Sequence, residues 1–186
     1  MENKKIRVMK AAKEVFLKYG YVKVTMNDIA KAAGMSRPAL YLIYPGKEHI
    51  YNDVIIYLAS ELSGKVKREC ELLNAPIDKL KKVFDVWSIE MYEVLNRSDE
   101  VRELYQSSYP FAKESMKKSV LLFEDDIAAA LMQFAPGQLN GNIGPEELAH
   151  VFAHAMSGFK QNSDTVEELR HKIDLLIRMG LSEELK

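Results

Sequence analysis

Residues 25–44, TMNDIAKAAGMSRPALYLIY, decide the fold. Thr25 stands where a helix cap belongs, and Asp28 three residues later completes a capping box while placing negative charge at the positive helix end. Ile29, Ala30, Ala32 and Ala33 follow, and the small alanines let another helix approach closely. Gly34 ends this short helix with a tight turn, and Ser36 caps a second one beginning Arg37-Pro38-Ala39-Leu40. Pro38 is tolerated there because the first turn of a helix has no use for its missing amide. Two short helices joined through Ala33-Gly34-Met35-Ser36 have the spacing of a helix-turn-helix, with Leu40 anchoring the second helix inward. Its outer face carries DNA-binding chemistry. Arg37 suits guanine edges or phosphates, Tyr41 suits phosphate or a thymine methyl, and Lys47 suits the DNA backbone. Thr25 sits beside amides that attract phosphate. The candidate contact set is Thr25, Ser36, Arg37, Pro38, Ala39, Tyr41, Tyr44 and Lys47, of which Tyr44, like Leu40, also reads as core.

Working outward, a helix is predicted over about residues 3–19, with Ile6, Met9, Ala12, Val15, Phe16 and Tyr19 at helical spacing and Gly20 as its stop. Pro45-Gly46 breaks the chain before a fourth helix from Lys47 to about Cys70. Further helices are expected near 77–97, 99–108, 111–134, 145–161 and 164–180, with Pro76, Pro110, Pro136 and Pro145 at or near their boundaries. The stretch 136–144, rich in turn formers, reads as a mobile loop. No strand alternation and no internal repeat is evident. The expected fold is therefore all-α: a three-helix DNA-binding head over residues 1–46, and a helical-bundle body for ligand binding and dimerisation over residues 47–186.

Charge follows the same division. Residues 1–50 carry ten Lys/Arg and four Asp/Glu, a net +6, whereas the other residues carry 16 basic and 23 acidic side chains, a net -7. A basic head on an acidic body fits a polyanion-binding module. No apolar run approaches the roughly 18–20 residues of a membrane span. The N-terminus has no apolar signal-peptide core, and a single cysteine, Cys70, excludes an internal disulfide framework. These features lead us to expect a cytoplasmic protein, with Cys70 a packing residue before a redox sensor.

The residues Ala11, Ala12, Phe16, Tyr19-Gly20-Tyr21, Thr25-Met26-Asn27-Asp28-Ile29-Ala30, Ala33-Gly34-Met35-Ser36, Leu40-Tyr41 and Tyr44-Pro45-Gly46-Lys47-Glu48 together resemble the N-terminal signature of TetR-family transcriptional regulators. The resemblance covers about residues 5–55. It implies an all-α homodimer whose third helix reads operator DNA and whose C-terminal bundle binds a small molecule that lowers DNA affinity. Leu42 and Ile43 depart from it, standing where polar residues or histidine are frequent; so do Tyr44 in place of phenylalanine, Gly46 in place of a polar cap, and Pro38 in place of a small flexible residue.

In the body, aromatic and methionine residues are spread over several helices and read chiefly as core. Trp87, Met91, Tyr105, Tyr109, Phe152 and Met156 are the candidates to line an effector pocket for an apolar or amphipathic molecule. His150 and His154 lie one helical turn apart, as in some zinc sites, but neither an adjacent acid nor a third ligand follows by spacing, so no metal is assigned. No cofactor-binding or catalytic motif is evident, and an enzyme is not expected. The last two helices are amphipathic and, by the resemblance, pair with their copies in a dimer seam. The reading is a ligand-responsive regulator, most simply a repressor bound to a palindromic operator; a protein-interaction adaptor or a helical-bundle enzyme are the alternatives.

Overall fold

The computed structural model describes residues 2–98, 101–102, 109–141 and 143–182. The helices are α1 (Glu2–Tyr19), α2 (Met26–Ala32), α3 (Arg37–Tyr41), α4 (Lys47–Cys70), α5 (Pro76–Phe84), α6 (Glu90–Leu95), α7 (Lys113–Leu131), α8 (Pro145–Gln161) and α9 (Val166–Gly180). A π-helical turn (Asp85–Ile89) joins α5 to α6, and a 3₁₀ turn (Pro110–Ala112) precedes α7. Among the described residues there is no strand, and no helix is long and apolar enough to cross a membrane. The all-α expectation holds. Most of the helix expected at 99–108, with Tyr105, lies outside the described residues.

By packing, the chain forms two compact units. The first comprises Met1–Ala59 with Val94–Ser119; the second comprises Ser60–Glu93 with Val120–Lys186. α4 and α7 each contribute residues to both. Packing thus groups residues differently from the functional division expected at 46/47.

The core of the first unit corrects the apolar face expected for α1. Val8, Ala12 and Phe16, at i, i+4 and i+8, are fully buried, whereas Ile6 and Tyr19 are exposed. Ala12 belongs to the same buried cluster as Ile29, Ala30 and Leu40 of the helix-turn-helix. Phe16, Tyr21, Tyr51, Tyr109 and Phe111 form one aromatic cluster, with Tyr109 stacked on Phe111 at 5.1 Å. Asn52 Nδ2 donates to the Phe111 carbonyl at 3.1 Å, and Ser115 Oγ donates to Asn52 Oδ1 at 2.6 Å, fastening α4 to the start of α7.

In the second unit Phe84 meets Phe123 and Phe152 at 5.9 and 6.0 Å between ring centroids. The wide π turn buries Val86, Trp87, Ser88 and Ile89 in succession, which a regular one-faced helix does not do. The stretch expected as a mobile loop is fastened in its middle. Asn140 donates its amide to the Gly180 carbonyl at 2.9 Å, and Ser182 donates its amide to the Gln138 carbonyl at 3.0 Å.

Candidate functional site

The turn into α2 forms as its sequence dictates. Asp28 donates its amide to Thr25 Oγ1 at 3.3 Å, and Asp28 Oδ2 accepts from the Thr25 amide at 2.9 Å and from Thr25 Oγ1 at 2.6 Å. These hydrogen bonds hold the Asp28 carboxyl below the usual carboxylate range. Gly34 takes φ +62°, a left-handed conformation that an L side chain enters only at a cost, and this tight turn sets α3 against α2. Ser36 Oγ then accepts from the Ala39 amide at 3.3 Å, capping α3 with Pro38 in its first turn.

This geometry sorts the candidate contact residues. Thr25, Ser36, Arg37, Pro38 and Tyr41 are exposed, and Ala39 is half-buried. Arg37 Nη2 donates to Tyr41 Oη at 3.4 Å, so guanidinium and phenol share one outward face. Leu40 is fully buried on the opposite side. Tyr44 is 2% exposed and its hydroxyl donates to Asp53 Oδ2 at 2.8 Å; the core reading of this residue is the one its packing supports. Lys47 Nζ donates to the Tyr21 and Val24 carbonyls at 2.7 and 2.8 Å and lies 4.2 Å from the Tyr21 ring centroid. Its ammonium therefore clamps the turn that presents Thr25. Leu42, one of the departures from the family resemblance, is 90% exposed just beyond α3 and adds an apolar patch beside Tyr41.

The described candidates for effector lining fall in both units. Trp87, Met91, Phe152 and Met156 belong to the second unit, Tyr109 to the aromatic cluster of the first. Phe152 and Met156 are buried core. Trp87 differs, because its Nε1 donates to Asp126 Oδ2 at 2.9 Å, while Ser63 Oγ donates to Asp126 Oδ1 at 2.8 Å. Burial raises the Asp126 carboxyl above its ordinary range, and these two hydrogen bonds only partly offset it. Asp126 in turn borders a cavity of about 260 Å³ whose other walls include Val66, Cys70, Lys79, Val83 and Ala130. Among the described residues, none of Trp87, Met91, Tyr109, Phe152 and Met156 borders it. Burial also pushes the Cys70 thiol up, away from the thiolate that redox sensing requires. Asp126 escaped the sequence reading inside the acidic run Glu124-Asp125-Asp126, yet it shares a helical stripe with Phe123, Ile127 and Ala130, all buried. That register was the available signal.

Among the described residues the chain is all-helical, and the capped helix-turn-helix at its N-terminus has the arrangement of a helical DNA-binding module. Residues 8–54 match the family described as "Bacterial regulatory proteins, tetR family". An uncharacterized HTH-type transcriptional regulator, YhgD of Bacillus subtilis, is 27% identical over 71 residues, 38% of this chain and 37% of that protein's length. A transcriptional regulator from Cytophaga hutchinsonii has a similar fold at 22% identity, TM-score 0.71, covering 92% of this chain and 93% of its own. Thermus thermophilus FadR, a TetR-family transcriptional repressor solved with lauroyl-CoA, aligns at 23% identity, TM-score 0.60, covering 96% of both chains. Over residues 8–54 the chain is thus similar to the TetR family of bacterial regulatory proteins, and it spans 37% of the length of the curated relative it matches.

Proposed function

We propose that the protein is a cytoplasmic, ligand-responsive repressor that binds a palindromic operator as a homodimer and leaves it when a small molecule occupies the body. One observation carries the reading: α3 turns Arg37 and Tyr41 outward while Leu40 is sealed inside, so a rigid scaffold presents a hydrogen-bonding face of the size a major groove accepts. Residues 1–46 act as the DNA-binding domain and 47–186 as the effector and dimerisation domain. Thr25, Ser36, Pro38 and Ala39 place the amides of α2 and α3 against phosphate, and Lys47 contributes by holding the Tyr21–Val24 turn. Tyr44 supports the face from within.

Dimerisation is assigned to α8 and α9. Their inner stripes are used up in packing, yet Val151, Leu175 and Met179 remain exposed, and a twofold reader of DNA needs such a seam. The effector site is placed in the body beside Trp87, where Asp126 offers a polar anchor next to an apolar wall. The complex of Thermus thermophilus FadR with lauroyl-CoA supports an amphipathic effector. To act as a switch the effector must favour the DNA-free arrangement, since equal affinity for both shifts nothing. No catalytic role is assigned.

Selection of bound sequences from a random DNA pool by the purified protein tests the reading. A dyad-symmetric site is expected, with affinity falling steeply as salt rises. Arg37→Ala is expected to weaken binding to that site by about tenfold to 100-fold, the loss of one base-reading contact. Selection without dyad symmetry, or an Arg37→Ala protein that binds unchanged, would refute the assignment.

A further inference from the structure

We propose that Glu124, His150 and His154 form a binding site for a divalent transition-metal ion of the zinc class. His150 and His154 project one turn apart from the exposed side of α8, the spacing with which two imidazoles on one helix share an ion. α7, distant in sequence, supplies the third group. Glu124 Oε2 lies 3.3 Å from His150 Nδ1, and Glu124 Oε1 lies 3.5 Å from His154 Nδ1, which brings the His154 ring against the carboxylate while leaving its Nε2 as the ligating atom. The two imidazole centroids are 4.1 Å apart, and one ligating atom from each of the three residues falls within 4.8 Å of the others.

These separations suit a metal. Bonds of about 2.0–2.2 Å at tetrahedral angles set neighbouring ligand atoms about 3.3–3.5 Å apart, so the His150–Glu124 pair already spans one edge of such a polyhedron. The Nδ1–H of His154 donates to the His150 carbonyl at 2.9 Å, which leaves the lone pair on Nε2 and fixes the ring by the backbone contact that metal-ligating histidines commonly make. Glu124 is 16% exposed, whereas His150 and His154 are 62% and 57% exposed. The carboxylate thus forms the floor and the imidazoles the outer rim, with an open path for an ion and for solvent to complete its coordination. Two nitrogens and a carboxylate, with no thiolate, favour zinc, cobalt, nickel or copper over calcium and magnesium. The competing account is an ion pair of protonated imidazoles with Glu124, which needs no metal.

Metal titration of the full, untagged chain, stripped with a chelator, separates the two. Zinc is followed by calorimetry, and cobalt by the visible absorption of a nitrogen- and oxygen-ligated tetrahedral centre. One saturable equivalent per chain is expected, together with a rise in Tm, because an ion held by the native arrangement stabilises it. His150→Ala, His154→Ala and Glu124→Gln should each weaken binding by more than the about 10–100-fold lost with an outer-shell partner. A His49→Ala/His171→Ala protein should bind as the parent does. The histidines are surface residues, so the apo variants keep their fold, and circular dichroism checks this; Glu124→Gln is dispensable if it does not. Absence of saturable binding, or binding that survives in both histidine variants, would overturn the site. DNA binding is not used in the readout, so failure here leaves the repressor reading untouched.

Discussion

Lys160 carries its charge into the second unit, where its Nζ donates to the Trp87 carbonyl at 3.0 Å and faces the Phe123 ring. Burial lowers its pKa from the ordinary 10.5 to about 8. Below pH 8 both folded and unfolded chains hold the proton, and the full cost of burying the charge is present. Between about 8 and 10.5 the unfolded chain binds a proton that the folded chain has shed, so stability rises with pH across that window. Lys160→Met is therefore expected to raise stability at pH 7 by about 1–3 kcal/mol, an advantage that fades above pH 10. Denaturant unfolding of both proteins at pH 7 and pH 10 checks it; parallel pH profiles would remove the buried-charge account. Residue by residue, the outer side of the helix-turn-helix was legible because capping, turn and exposure are properties of a few neighbours in sequence. Lys47 was not, since its carbonyl partners lie 23–26 residues earlier and only folding brings them within reach.

At the scale of elements, α9 ends on a close approach. A Cβ built on Gly180 would stand 2.5 Å from Phe152 Cζ and 3.1 Å from Leu148 Cδ2. Phe152 is itself fully buried and cannot retreat, so the helix seats only with glycine there. Gly180→Ala should destabilise the protein by about 1–3 kcal/mol despite the better helix propensity of alanine. Equilibrium unfolding in urea measures it, and a stabilised variant would show that α9 does not seat this closely. Nothing in the local sequence announces this contact, because a glycine near a helix end reads as a terminator. The face of α1 was misread for a related reason. Apolar residues at 6, 8, 9, 12, 15, 16 and 19 permit two overlapping stripes, and the choice of Val8, Ala12 and Phe16 was made by the elements packed against them.

For the whole molecule, the exposed Val151, Leu175 and Met179 bear on assembly. Light scattering is expected to give twice the chain mass of 21.2 kDa, and Leu175→Glu with Met179→Glu should return a single-chain mass and weaken operator binding, since one head then docks without its pair. A wild-type mass of one chain, or an unaltered mass for the double variant, would exclude the seam. Loss of a dimer would cost avidity without disturbing any contact of α3 with DNA.

What the amino-acid order determined by itself was the helix-turn-helix, with its caps at Thr25 and Ser36, its turn at Gly34, and the +6 charge around them. Each rests on interactions within a few residues, or on simple summation of charge, and neither needs distant chain to be in place. Tertiary structure alone decided that Asp126 meets Trp87 and Ser63, that Glu124 faces His150 and His154 across 26 and 30 positions, and that Gly180 seats on Phe152. Such pairings depend on which face each helix turns inward. That is set by the packing of several helices at once, and any one helix read alone leaves it open.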